Sequence, residues 1–368
     1  MGNGYNFGEL ASIININSYT KNKEGVDTNA KIFEKWMREL GFTSTIYARD
    51  EIGNHVLFSS QKRAGSKLLL LGHLDTVFPP DTFEKFSEDE EWIYGPGVCD
   101  MKGGNFVALE ALRNLKSDYH DIANIDFLLV SDEESGSDDS KTLTKELAKA
   151  YDYCLVFEAA GEKGEVVVGR KGVGTFFIDI TGKAAHAGNH YAEGINANLE
   201  AAHKLIALTA LTNLEAGTTV NVGKLEGGIG ANTISPKARL IVELRYTNVQ
   251  ERDRVLAGFE KIVGKNFVEG TKSELSGGIQ RDVMESSPKQ MEFVEKLEAI
   301  TGTKLPTEKR GGVSDSNIVS SVGVITLDGF GPFGDGDHTV HERALKSSYH
   351  DRISQVSKIL GAFMKGDI

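Results

Sequence analysis

Several stretches of this sequence carry side chains suited to binding a metal or moving a proton. The first is Gly72-His73-Leu74-Asp75, just after the apolar run Lys67–Leu71. In an extended chain, residues i and i+2 point the same way. His73 can then offer one ring nitrogen to a metal while Asp75 orients the other. Taken alone, a His-x-Asp at a turn is commonplace. The second is Gly95-Pro-Gly-Val-Cys-Asp100-Met-Lys-Gly-Gly104. It is not a dinucleotide fingerprint, because Asp stands at the sixth position and no clean strand precedes it. Its glycines permit a tight turn that delivers Asp100 ahead of a helix. The third is Ser131-Asp-Glu133-Glu134, in a segment Ser131–Ser140 with five acids and no base. One reading is a solvated acidic loop. In the other, adjacent carboxylates crowd like charges that a cation offsets. One of them can then bind a metal while its neighbour handles a proton. Glu158 follows a further apolar run, Tyr153–Phe157. Late in the chain, Gly331-Pro-Phe-Gly-Asp-Gly-Asp337-His338-Thr-Val-His341-Glu342 offers two histidines in a glycine-rich loop. His203 falls in a helix pattern, and His55, His120 and His350 have no supporting context. Together, two histidines and three carboxylates make a mixed N/O donor set that suits zinc, and also cobalt or manganese.

The elements that must position these groups alternate in kind. Asp27-Thr28 can cap a helix to Leu40, with Ile32, Phe33, Trp36, Met37 and Leu40 on one face. Lys67–Leu71, Asn124–Ser131 and Tyr153–Phe157 read as buried strands, with a helix over Asn105–Leu115 between the first two. Continuous apolar strands alternating with helices predict an α/β fold whose mostly parallel sheet is covered by helices on both faces. In such a sheet, ligands gather at the carboxyl ends of the strands, where His73, Asp75, Glu133, Glu134 and Glu158 fall.

The texture changes near Gly169. Gly174–Thr181, Val220–Leu225, Arg239–Tyr246 and Asn266–Leu275 read as strands, and Asn196–Leu211 and Val249–Val263 as helices. The order β-α-β-β-α-β predicts an α+β, ferredoxin-like unit inserted over 173–279. Glycines near 172–174 and 277–278 are the expected hinges. Residues 1–172 and 280–368 then form one domain, closed by helices over Lys289–Ile300 and Lys346–Met364 around a strand Val322–Leu327.

Composition narrows the function. The 368 residues carry 41 Lys plus Arg against 53 Asp plus Glu, a net charge of −12. Broad binding of nucleic acid or of an anionic membrane is not expected from such a chain. Two cysteines exclude a disulfide scaffold. Met1–Leu10 has no basic n-region before an apolar core, and no run approaches the ~18 residues of a membrane span. The expectation is a soluble, cytoplasmic protein with Cys99 and Cys154 as buried hydrophobes.

The ordered set of motifs resembles the co-catalytic di-zinc exopeptidases and deacylases. These include carboxypeptidase G-type glutamate carboxypeptidases, acetylornithine deacetylase, succinyl-diaminopimelate desuccinylase, aminoacylase and peptidase T. Beyond the segments above, the resemblance rests on Arg170-Lys-Gly-Val-Gly174, Gly182-Lys-Ala-Ala-His186-Ala-Gly188 and Gly227-Gly228 with Asn232. Gly311-Gly-Val-Ser-Asp315 and His338-Thr-x-x-Glu342 complete it. It implies that Asp100 bridges two Zn2+ ions, with Co2+ or Mn2+ as alternatives. His73 and Glu158 would complete one set of ligands, and Glu134 and His338 the other. Asp75 would orient His73, and Glu133 would act as general base on a water bridging the metals. His186 and Asn232, in an inserted lid, match positions that contact substrate or stabilise an oxyanion. Arg245 resembles a lid arginine that clamps a substrate carboxylate, with Arg310 a weaker candidate. An exposed strand arginine in an ion pair is the other reading of Arg245. The pattern departs from the family at Asp337, where Ala or Tyr is usual, and His341 competes with His338 as ligand.

The implied reaction is cleavage of an amide bond next to a free C-terminal carboxylate, in a small peptide or N-acyl amino acid. The implied assembly is a homodimer through the lid, in which His186 can serve the neighbouring subunit. An aminopeptidase or dipeptidase on the same scaffold is the alternative, with Asp132 or another acid receiving a free ammonium. A catalytically silent metal-binding interaction protein is the alternative of another class.

Overall fold

The computed structural model describes residues 6–368. Its internal contacts divide the chain into two units. The first runs through Gly169 and resumes at Ser286–Arg310 and Ser314–Ile368; the second is Arg170–Glu285 with Gly311–Val313.

The first unit is built on a six-stranded sheet. Its order is Thr43–Tyr47, His55–Ser59, Ile125–Val130, Leu68–His73, Tyr153–Val156 and Ile325–Leu327. The last four pair in parallel, and the first two add an antiparallel edge. Side chains of successive strand residues enter different cores, as a period of two requires. Leu68, Leu70, Phe127, Leu129 and Leu155 join one cluster. Leu69, Leu71, Leu128, Val130 and Val156 join another. Both faces are therefore dry, and each fully buried leucine contributes about 1.5–3 kcal/mol relative to exposure. Helices Lys23–Glu39, Lys102–Asp118 and Lys346–Lys365 supply the first cluster, and Ala148 and Val319 come from helices in the second.

Most elements stand where the apolar pattern puts them. The first long helix starts earlier than the Asp27-Thr28 cap predicts. Asn22 caps it instead, its side chain accepting from the Gly25 amide at 3.3 Å, and Asp27 pairs with Lys23 at 2.8 Å. A small antiparallel sheet registers Arg343 with Tyr94 and Ala344 with Ile93. That pairing brings the glycine-rich turn after Tyr94 against the late loop before Arg343, segments some 250 residues apart.

The second unit is a four-stranded antiparallel sheet in the order Thr219–Gly227, Lys237–Tyr246, Gly172–Thr181, Lys272–Arg281, with helices Ala197–Thr209 and Val249–Gly264. Ala238, Leu240, Val242, Leu244 and Tyr246 alternate inward to its core. The chain order is the split βαβ arrangement. Two details differ from the sequence reading. The last strand begins at Lys272 rather than Asn266, because the Phe267 and Val268 amides bind the buried Glu200 carboxylate at 2.8 and 2.6 Å. Gly277, expected at a hinge, lies inside that strand opposite Phe176. A Cβ there would stand 2.3 Å from the Thr175 carbonyl oxygen, so this glycine serves close strand approach.

One buried pair ties this unit together. Lys204 and Glu200, both fully buried, lie 3.0 Å apart. Lys204 Nζ also donates to the carbonyls of Ile262, Val263 and Lys265 at 2.7, 3.1 and 2.7 Å. A cation thus meets the negative end of the second helix, where orphan carbonyls gather.

Candidate metal centre

The parallel strands deliver their donors at their carboxyl ends. His73 is the last residue of its strand and is buried. Its Nδ1 lies 3.0 Å from the Asp75 carbonyl oxygen and 3.4 Å from Asp75 Oδ1. Donation from Nδ1–H to that carbonyl leaves Nε2 with a lone pair, the form that binds a metal. Nε2 lies 3.2 Å from Asp100 Oδ1 and 3.8 Å from Glu158 Oε1. On the other side, His338 Nε2 lies 3.2 Å from Asp100 Oδ2 and 3.2 Å from Glu134 Oε2. The two oxygens of Asp100 therefore face two separate histidine–carboxylate sets. Glu133 contributes a carboxylate oxygen within 4.8 Å of donor atoms of His73 and Glu158. His341 is exposed and forms no ion pair among the described residues.

A shell of buried polar groups holds this arrangement. Asp75 accepts the Glu133 amide through Oδ1 and the Glu134 amide through Oδ2, both at 3.2 Å, and the Thr20 hydroxyl at 2.7 Å. Glu342 accepts the amides of Gly97, Cys99 and Asp100 at 2.9, 3.0 and 3.1 Å and so shapes the turn that carries Asp100. Asn105 donates to the His73 carbonyl at 2.6 Å. Lys102, also buried, donates to the carbonyls of Ile13 and Ile16 at 3.0 and 2.8 Å. Cys99 packs inward, its thiol donating to Asp337 Oδ1 at 3.0 Å. Sequence reasoning assigned no role to Thr20, Lys102 or Asn105, and it placed Glu342 in a motif without a task. The only local signal for Glu342 was its fixed distance from His338.

The helix Lys102–Asp118 begins flush against this shell. A Cβ on Gly103 would meet the Val98 carbonyl oxygen at 1.9 Å, and one on Gly104 would meet the Phe157 carbonyl oxygen at 1.8 Å. Only glycine allows so close an approach to the Asp100 turn and to the strand end that carries Glu158.

The electrostatics show a site short of positive charge. Burial, reinforced by the charge of Asp100, pushes Glu134 up to about 8. Burial and then Asp100 raise Glu158 well above the usual carboxylate range. Burial alone would raise Asp100 too, but hydrogen bonds from His338 and His73 hold it far below that range. Hydrogen bonds to Asp100 and then Glu134 push His338 up to about 11. Burial opposes charge on His73, yet Asp100 and Asp75 outweigh it and raise it well above its ordinary value. The opposite shifts of Asp100 and of Glu134 and Glu158 show carboxylates crowded closely enough that positive charge beside them is favoured. Two nitrogen and three carboxylate donors, one of them two-faced, fit a pair of divalent cations of zinc, cobalt or manganese type.

Within the second unit, His186 and Asn232 come together. His186 bridges to Thr233, and the Ala187 amide donates to the Asn232 carbonyl at 2.9 Å. His186 Nδ1 accepts the amides of Gly188 and Asn189 at 3.1 and 3.2 Å, so the exposed neutral ring carries its proton on Nε2. Arg245 lies elsewhere. Thr181 registers with Lys237 at the end of the sheet joined by the loops of His186 and Asn232, whereas Arg245 registers with Val173. Eight residues of strand separate those ends by roughly 27 Å. Arg245 pairs with Glu243 at 2.8 Å and donates to the Gly311 carbonyl at 3.0 Å. In the first unit, Arg310 pairs with Glu308 at 2.6 Å and donates to the Ala159 carbonyl at 2.8 Å. Asp132 is buried, and its Oδ2 accepts the amides of Asp139 and Ser140 at 2.8 and 3.2 Å.

Comparison with known proteins agrees with this chemistry. The family described as peptidase family M20/M25/M40 matches residues 69–362. Carboxypeptidase G2 of Pseudomonas sp. (strain RS-16) is 29% identical over 90% of this chain and 82% of its own length. A succinyl-diaminopimelate desuccinylase of Bradyrhizobium sp. (strain BTAi1 / ATCC BAA-1182) is 26% identical over 85% of this chain and 88% of its own. Among solved structures, the aminopeptidase PepT of Bacillus cereus ATCC 10987 superposes with a TM-score of 0.80 at 23% identity, covering 97% of both chains.

Proposed function

The chain belongs to peptidase family M20/M25/M40, and from that premise we propose that it cleaves an amide bond next to a free C-terminal carboxylate, in a small peptide or an N-acyl amino acid. The observation that carries this reading is the division of Asp100 between two donor sets, with Glu133 beside them. His73, Asp100 and Glu158 would hold one divalent cation, and His338, Asp100 and Glu134 the other; zinc is our choice for both. Cations bound there supply Lewis acidity, which acidifies water and polarises a carbonyl.

The protein's own groups do the rest. Glu133 takes a proton from the attacking water and returns it to the leaving nitrogen as the bond breaks. Asp75 fixes the backbone that carries Glu133, so the base does not wander. The first unit is the catalytic domain in this reading, and the second a lid and dimerisation domain. His186, through Nε2–H, and Asn232 are donors toward developing oxyanion charge. Arg245 receives the substrate carboxylate, exchanging its partner Glu243 for it.

One small substrate cannot touch Arg245 and His186 of the same second unit across roughly 27 Å. That favours a homodimer in which a second copy supplies one of them. Exposed Leu199, Ile206, Leu225 and Ile229 of the second unit give such a contact apolar surface. Free, buried Cys99 and Cys154 are compatible with a cytoplasmic setting. No helix among the described residues is long and apolar enough to cross a membrane.

Similarity to carboxypeptidase G2, 29% identical over 90% of this chain, supports the C-terminal reading over an aminopeptidase. So does Asp132, which is buried against backbone amides and not set to receive a substrate ammonium. The test uses zinc-loaded protein and two matched substrates, an N-acylated dipeptide ending in glutamate and the same dipeptide with a free amine. Faster hydrolysis of the acylated compound is expected. Preference for the free amine would replace this reading with an aminopeptidase or dipeptidase. Hydrolysis of neither would reopen both the acyl group and the silent metal-binding alternative.

A further inference from the structure

A second cleft in the first unit has no part in the chemistry above. It offers about 500 Å³ between the N-terminal half of the helix Lys346–Lys365, the turn at Glu162–Gly164 and the segment Thr301–Lys304. None of the five donor residues, nor Glu133, lines it.

Its charge runs against that of the whole chain. Lys163, Lys304, Arg352 and Lys358 line it, against Glu162 and Asp351. Lys304 is neutralised by Glu298 at 2.6 Å. Lys163 and Lys358 make no ion pair among the described residues; Lys358 Nζ donates only to the Thr301 carbonyl at 3.0 Å. Arg352 is the decisive group. It is only 4% exposed, yet it forms no ion pair among the described residues, and Asp351 and Glu165 act on it only through longer-range charge. It donates to Gln355 Oε1 at 2.6 Å and to the Gly164 carbonyl at 3.1 Å, and it lies over the Phe330 ring at 5.4 Å. A guanidinium has five N–H donors in a planar fork, so further donors stay available in the cleft. A buried cation without a counter-ion is costly, and a bound anion relieves that cost. Burial accordingly pulls Arg352 down to about 10.

We infer that this cleft binds a small oxyanion, a phosphate or carboxylate group of a metabolite, with Arg352 at its floor and Lys163 and Lys358 at its rim. The Ser347 hydroxyl, in the first turn of the long helix, also lines it and is a neutral donor to the same ligand. The inference does not depend on which substrate the metal centre takes.

The test follows thermal unfolding and calorimetric titration of the zinc-loaded full chain with inorganic phosphate and, separately, with succinate. A ligand held only by the native state raises the unfolding temperature in step with its concentration. Saturable binding at roughly millimolar Kd or tighter is expected for at least one anion. Which of the two binds tells a phosphate site from a carboxylate site. The exposed-lysine double variant Lys163→Ala/Lys358→Ala should weaken that binding about tenfold or more. Arg352→Gln should abolish it if that variant folds; the lysine variant keeps the test open if it does not. Anion binding at the metals would be untouched by the lysine changes, so equal affinity in wild type and double variant overturns the proposal. Absence of binding by both anions overturns it as well.

Discussion

Asp75 Oδ1 accepts the backbone amide of Glu133 at 3.2 Å. The residue expected to orient a histidine therefore also pins the residue proposed as general base. Its second oxygen does the same for the neighbouring Glu134. Asp75→Asn removes one of these acceptors and presents an N–H to a backbone N–H. We expect kcat and metal affinity both to fall, about 10- to 100-fold. Turnover measured at saturating zinc alongside zinc titration checks this, and a variant altered only in KM would show that Asp75 does not act through Glu133.

Glu133→Gln keeps the shape of the side chain and removes the base. Turnover should fall about 100- to 10,000-fold while zinc stoichiometry stays at the wild-type level. His73→Ala should instead lose zinc. Elemental analysis of both variants beside their rates makes the comparison. Equal metal loss in the two would make Glu133 a ligand, and unchanged function in Glu133→Gln would favour the silent metal-binding protein.

The metal-free protein should lose stability as pH rises. Glu134 is raised to about 8 and His338 to about 11, so between their unfolded and folded values the native state binds the extra protons. Stability therefore declines with pH from the unfolded carboxylate range upward, and most steeply where both groups contribute, above the ordinary histidine value. The depressed Asp100 contributes a constant amount there, because it is ionised in both states. Zinc replaces those protons, so the unfolding temperature of loaded protein should hold between pH 6 and 9, on the order of the pH range that spans these groups. Parallel unfolding curves with and without chelator would contradict the assignment of these residues to a cation.

Lys204→Met leaves the Glu200 carboxylate buried without its cation and takes one donor from each of the Ile262, Val263 and Lys265 carbonyls. A loss of about 3–5 kcal/mol is expected, read by urea unfolding of the full chain. The double variant Lys204→Met/Glu200→Gln should recover part of it, since no lone charge remains. A single variant as stable as wild type would mean that water reaches this pair.

Residues at strand ends were the part of the site that local pattern revealed. His73, Glu134 and Glu158 each follow an apolar run, and a buried parallel strand leaves few alternatives to that run. Asp100 and His338 were visible as polar residues in glycine-rich turns, but only the register of Arg343 with Tyr94 shows why they meet. Glu342, Lys102 and Asn105 read as ordinary polar residues. Their importance comes from burial against amides and carbonyls that are distant in sequence, and periodicity carries no record of such contacts. The misplaced last strand has the same cause. Asn266–Leu275 looks suitable for a strand until the buried Glu200 carboxylate claims two of its amides. Arg245 was readable as a clamp or as an ion-paired strand residue. The Glu243 pair shows what an incoming carboxylate must displace.

Gly103 and Gly104 set the helix backbone directly on the carbonyls of Val98 and Phe157. The distance between the Asp100 turn and the Glu158 strand end is therefore gauged by main chain, with no side chain as a shim. A catalyst built this way has little freedom to retune its cation spacing by small steps. In a library of all substitutions at these two positions, selection for hydrolysis should return glycine. New specificity in such a protein has to be sought in the groups that greet the substrate rather than in the frame that holds the ions.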